Sequence, residues 1–167
     1  MISMASTIVL FNFSKQSDLS QWQVVNDGVM GGLSEGQFTL NDEGHGVYTG
    51  KVSLANNGGF SSLRFRFQQR EIHGFEYIVL RLKGDGKRYQ LRLKNDQTQR
   101  HSYIQYVETH GEWQTIRLKL VDFYPWFRGV PLRIPNYDGR SIGELAFLIG
   151  NKKEEAFELT IDAISLE

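Results

Sequence analysis

Four stretches of this chain repeat with a period of two. Leu63, Phe65 and Phe67 alternate with Arg64 and Arg66, and Ile78, Leu80 and Leu82 alternate with Val79, Arg81 and Lys83. Tyr89, Leu91 and Leu93 alternate with Arg88, Gln90, Arg92 and Lys94, and Ile116, Leu118 and Leu120 with Arg117 and Lys119. Successive side chains point to opposite faces only in an extended strand, so each stretch reads as a strand with one apolar face and one cationic face. An amphipathic helix would need apolar residues at spacings of three and four instead.

Less regular strands are expected at Thr7–Phe13, Gly36–Leu40, Val47–Leu54, Tyr103–Val107, Leu145–Ile149 and Phe157–Leu166. Between strands lie turn sequences such as Asn57-Gly58-Gly59, Gly84-Asp85-Gly86 and His110-Gly111. About ten short strands without a long helical pattern predict an all-β sandwich, one domain over residues 1–167. A helical turn is expected near Ser17–Trp22, capped by Ser17 or Asp18. The longest irregular stretch is expected from Tyr124 to Gly143, where all three prolines fall.

Nineteen basic and nineteen acidic residues cancel over 167 positions, so overall charge favours neither nucleic acid nor a membrane surface. The distribution is uneven. Ser61–Leu120 holds twelve Lys/Arg against six Asp/Glu, leaving the two ends acidic. There is no cysteine, hence no disulfide, thiolate nucleophile or zinc–cysteine site. The start of the chain lacks a basic segment followed by a long apolar run, so no membrane insertion and a cytoplasmic location are expected.

Several motifs imitate known chemistry. Gly32-Leu33-Ser34-Glu35-Gly36 has the letters of a nucleophile elbow, but a strand is expected after it rather than the helix that motif requires. Asn136-Tyr137-Asp138-Gly139 matches part of a calcium loop, yet Ile134 and Leu145 occupy essential ligand positions. Asp162 could contribute to a structural calcium site or serve as a buried, hydrogen-bonded acid. The glycine-rich segments Gly28–Gly32 and Gly84–Lys87 lack the spacing of phosphate-binding loops. Nothing here assembles a catalytic constellation or calls for a cofactor or metal, and the expectation is a protein that is not an enzyme.

The cationic strand faces are the most distinctive feature. If the strands share one sheet, Arg64, Arg66, Arg81, Lys83, Arg92 and Arg117 line a single face together with Arg88, Lys94 and Lys119. Such a face would dock an acidic protein or a polyanion such as RNA. Tyr106, Trp126 and Arg128 complete the candidate binding residues, Trp126 as an aromatic anchor in the long loop. A carbohydrate-binding module is the alternative, with Tyr106 and Trp126 as sugar platforms. Asp27 is expected to bond backbone amides two residues on, a local contact worth about 0.5–2 kcal/mol.

The stretch Trp22–Ser34, with Asn26-Asp27-Gly28-Val29-Met30-Gly31-Gly32, resembles the signature of the complex I intermediate-associated protein family. The resemblance continues through Gly58–Arg64, Leu82–Tyr89, Phe123–Gly129 and Phe157–Ile164. It implies a galactose-binding-like jelly-roll sandwich in which Asp27, Gly31, Gly32, Gly59, Asp85 and Asp162 belong to structural motifs. It also implies a chaperone-like assembly factor whose partner is a protein, such as a subunit of a respiratory or photosynthetic complex. The family supplies no catalytic residues to carry over.

Overall fold

The alternating segments are strands, and long-range pairing sorts them into two sheets. In the computed structural model, which describes residues 7–167, thirteen strands pair antiparallel throughout. Sheet A runs β3 (Glu35–Leu40), β4 (Gly46–Val52), β13 (Glu155–Leu166), β6 (Tyr77–Lys83), β9 (Trp113–Lys119), with β1 (Ile8–Asn12) pairing with the end of β13. Sheet B runs β11 (Val130–Pro131), β10 (Tyr124–Phe127), β8 (Ser102–Glu108), β7 (Arg88–Lys94), β12 (Ser141–Ile149), β5 (Ser61–Glu71), β2 (Trp22–Asn26). The architecture is the expected jelly-roll sandwich. No helix among the described residues is long and apolar enough to cross a membrane.

The apolar sides of the strands meet in one core. Leu80 and Leu82 from sheet A face Leu63, Leu91, Leu93 and Phe147 from sheet B, all fully buried. Each such side chain contributes about 1.5–3 kcal/mol of burial. At one corner Trp22 stacks on Phe65 with ring centroids 4.5 Å apart, beside Phe11, Phe13 and Phe38. A polar relay also joins the sheets: the Tyr48 hydroxyl donates to Ser61 Oγ at 2.6 Å, and Ser61 donates to Asn26 Oδ1. Burial pushes the Tyr48 pKa up, so this phenol stays a donor. Replacing Tyr48 by phenylalanine is expected to cost about 1 kcal/mol, read as a lower urea midpoint with unchanged slope.

The structure departs from the sequence expectations in three places. Residues 14–21 form no helical turn: Asp18 accepts the Ser20 N–H at 2.9 Å and Ser17 Oγ accepts the Ser14 N–H at 2.8 Å, so these short polar side chains hold a loop. Trp22–Asn26 is instead a strand at the edge of sheet B. The stretch from Tyr124 is not all irregular. Strands β10 and β11 form a hairpin turning at Arg128-Gly129, with φ of 50° and 82°, which is the left-handed pair that a two-residue hairpin turn requires.

The third departure concerns charge. Strands β5 and β7 lie in sheet B, whereas β6 and β9 lie in sheet A. Arg64, Arg66 and Arg92 therefore project from one outer face, and Arg81, Lys83, Arg117 and Lys119 from the other. The single cationic face expected from the alternation is two faces on opposite sides of the sandwich.

Candidate functional site

The outer face of sheet B carries side chains in registered rows. Tyr124, Ile104, Arg92, Ala146, Arg64 and Gln23 stand opposite one another on six adjacent strands. A second row contains Lys94, Glu144 and Arg66, and a third Tyr106, Gln90, Leu148 and Ser62. Although these rows face outward, Ile104 is 0% exposed, Glu144 3%, Ala146 4% and Gln90 8%. The long side chains around them close over them, and the face is a trough rather than a flat surface.

Charge inside the trough is unbalanced. The buried Glu144 carboxylate accepts from Arg66 Nε at 2.6 Å and lies 3.8 Å from Lys94 Nζ. Arg92 Nε donates to Gln90 Oε1 at 3.0 Å, and among the described residues Arg92 has no acidic partner. Burial, then the like charge of Arg64, push the Arg92 pKa down to about 10. Burial also lowers the pKa of Lys94, against the attraction of Glu144. Among the described residues, no hydrogen bond or ion pair engages the Arg64 side chain. Beside Arg64 and Arg66 lies a cleft of about 360 Å³, lined also by Gln21, Gln23 and Gln68 and by no carboxylate.

Aromatic residues border this trough. Trp126 and Tyr124 project from β10 with their rings 6.1 Å apart in an edge-on arrangement. The Arg88 guanidinium covers one face of the Tyr106 ring at 3.7 Å. Arg128 is exposed at the hairpin turn, 5.2 Å from the Phe127 ring. On the outer face of sheet A the cations have partners of their own. Arg81 lies 5.5 Å from the Trp113 ring, while Arg117 lies 4.5 Å from the Tyr77 ring and 3.2 Å from Glu167. Lys83 shares that face without joining the trough.

Asp27 holds two loops together, the β2–β3 and β4–β5 connections. Its carboxylate, 1% exposed, accepts the Ser34 hydroxyl at 2.6 Å and the N–H groups of Gly59 (2.6 Å), Ser34 (3.1 Å) and Phe60 (3.2 Å). These partners lie seven to thirty-three residues away, so the short-range turn expected for Asp27 is corrected to a long-range cradle. Gly31 closes the preceding 3₁₀ turn at φ 87°, and a Cβ at Gly32 would fall 2.3 Å from Asp27 Cγ. Burial would raise the Asp27 pKa, but the Ser34 hydroxyl and the Gly59, Phe60 and Ser34 amides together hold it below the usual carboxylate value. Ser34 Oγ also accepts the Ser53 N–H at 2.9 Å. Its hydroxyl is thus a structural link between Asp27 and the loop after β4, and among the described residues no histidine is hydrogen-bonded to it.

Asp85 plays a similar part at the β6–β7 turn, accepting from the Tyr89 hydroxyl at 3.0 Å and the Glu158 N–H at 2.8 Å. Asp162 is not the buried acid that was one expectation for it: its side chain is 37% exposed, 3.5 Å from His45 Nε2. The register shift between Ile161 and Ala163 turns that position out of the pairing. Among the described residues no group of three or more His, Cys, Asp or Glu is placed to hold a metal ion.

Comparison with known proteins decides the family. The description "Complex I intermediate-associated protein 30 (CIA30)" matches residues 11–161, nearly the whole chain. The chain belongs to this family. It is 22% identical to the mitochondrial complex I intermediate-associated protein 30 of Mus musculus across 99% of its own length, and it spans 57% of the length of that relative. In fold it is similar to the family 11 carbohydrate-binding module from Clostridium thermocellum, solved with a β-1,3-1,4-mixed-linked tetrasaccharide. The TM-score is 0.71 at 12% identity, covering 98% of this chain and 96% of that one. A family 29 carbohydrate-binding module gives 0.56 at 12% identity, covering 98% and 92%. At such identities the likeness is one of fold.

In this member of the complex I intermediate-associated family, two of the segments that carry the sequence resemblance, Asn26–Ser34 and Gly58–Phe60, converge on the Asp27 carboxylate. Those loop portions build the frame, while other residues of the segments that carry the resemblance, Gln23, Arg64, Tyr124 and Trp126, stand in or beside the trough. Sequence reading missed Glu144, Gln23, Gln90 and Tyr124. The available signal was Glu144 itself, a lone acid in the otherwise apolar run Ile142–Ile149.

Proposed function

We propose that this chain is a non-catalytic binding module that recognises a protein partner through the outer face of sheet B. The observation that carries the reading is the trough: half-buried Arg64 and Arg92 with no acid partner among the described residues, bordered by Trp126 and Tyr124. Cations held in a partly desolvated hollow favour an acidic counterpart and steer its approach. Family membership supports an assembly role, and its description points to a subunit of a respiratory complex as the class of partner.

The test separates the two faces. An Arg64→Glu/Arg92→Glu variant should lose a stoichiometric protein partner from nuclease-treated native lysate, while Arg81→Glu/Arg117→Glu retains it. Loss in both variants alike, or in neither, would count against this surface. Surface reversals ordinarily move stability by about 0.5 kcal/mol or less, so the Arg81/Arg117 pair is a fair control.

Carbohydrate binding is the second reading, favoured by the Trp126–Tyr124 pair and by the amides of Gln21 and Gln23 in the cleft. A neutral-glycan array lacking signal for wild type and present for a known module would remove it.

A further inference from the structure

We infer that the trough contains a defined carboxylate-binding notch above Ala146, between Arg64 and Arg92, which seats an acidic side chain of the partner; the choice of partner rests on the protein-binding reading above. Arg92, Ala146 and Arg64 are directly opposed on three adjacent strands, so the shortest side chain of the row lies between two of the longest. Two strand spacings separate the arginine backbones, about 10 Å. Ala146 is only 4% exposed beneath its neighbours, so a carboxylate seated over it would lie against the arginine side chains and not on the alanine.

The neighbouring cations are already committed. Glu144 holds Arg66 and Lys94, so those two anchor the trough wall and have less to offer a ligand. Arg92 uses its Nε on Gln90 and keeps its terminal nitrogens, while Arg64 has no side-chain partner among the described residues. These are the groups with donors left for a charge-assisted, two-sided grip on a carboxylate. Desolvation sharpens the preference: burial and the charge of Arg64 disfavour the protonated form of Arg92, Tyr106 and Glu144 offset them only in part, and an incoming anion would offset them further. Gln23 extends the same row and presents an amide that can pair with a peptide backbone, while Gln90, one row away beside Leu148, is buried and holds Arg92. One face of the Tyr106 ring is taken by Arg88 and is closed to a uronic acid ring.

The experiment titrates ¹⁵N-labelled full chain with hexaglutamate and, separately, with hexagalacturonate at constant ionic strength. Arginine Nε–Hε resonances report where each binds. Hexaglutamate is expected to shift the signals of Arg64 and Arg92 and to leave those of Arg81 and Arg117 in place. Arg64→Gln/Arg92→Gln should weaken binding at least tenfold, Arg92→Lys by an intermediate factor, and Arg81→Gln/Arg117→Gln by less than twofold. Equal weakening by both double variants would overturn the notch in favour of diffuse charge attraction, and absence of binding by either oligomer would overturn it outright. Binding of hexagalacturonate at Arg64 and Arg92 with hexaglutamate silent would uphold the notch and sink the protein-partner reading instead. An unchanged near-ultraviolet circular dichroism spectrum in each variant confirms that folding is preserved.

Discussion

Replacing Asp27 by alanine is expected to lower stability by about 3–5 kcal/mol, because three backbone N–H groups and the Ser34 hydroxyl lose their acceptor inside the protein. For a chain of this size that corresponds to a fall of about 10 °C in the melting midpoint. The Asp27→Asn variant would turn an amide donor toward groups that are themselves donors, so it should recover only part of the loss. Acid makes the same point without mutation. The folded carboxyl has a pKa below its unfolded value, so its stabilisation is fully present above the unfolded pKa, near 4, and is lost as pH falls through the folded value. The wild type should therefore lose stability more steeply than Asp27→Asn below about pH 4. A melting midpoint unmoved by Asp27→Ala would show that the cradle does not bear on stability.

Glu144→Gln is the second substitution with a large expected effect, about 2–4 kcal/mol. It removes the buried negative charge while Arg66, Lys94, Arg92 and Arg64 remain crowded in the trough. The lower part of that range allows for Arg66, whose side chain is 40% exposed and partly screened by water. High salt should restore some of the lost stability by screening the uncompensated cations. Urea midpoints at low and high salt measure both quantities, and a variant as stable as wild type at low salt would mean that Glu144 does not hold the cations in place.

The fold was legible wherever one residue and its second neighbour carried the signal. Leu63, Phe65 and Phe67 face the core, as do Leu80, Leu82, Leu91 and Leu93. Alternation tells which side of its own strand a residue takes, but says nothing about the sheet that strand joins. Here β12 inserts between β5 and β7, and β13 between β4 and β6, so the consecutive strands β5, β6 and β7 alternate between the two sheets. That is why the cations were readable and their grouping was not. Asp27 was recognisable as structural, while its partners at Gly59 and Phe60 lie more than thirty residues along the chain, beyond any local turn rule. Trp126 read as a loop residue because Pro125 and Pro131 obscured a short edge hairpin.

The fixed position of Arg92 bears on the kinetics of any complex formed in the trough. A free arginine side chain gives up about 2 kcal/mol of rotamer entropy when it is ordered. Packing and the Gln90 bond restrict Arg92 during folding, before a ligand arrives. A preorganised grip of this kind has little left to freeze on contact, so its advantage falls on the lifetime of the complex, while the exposed cations around the rim govern how often partners meet.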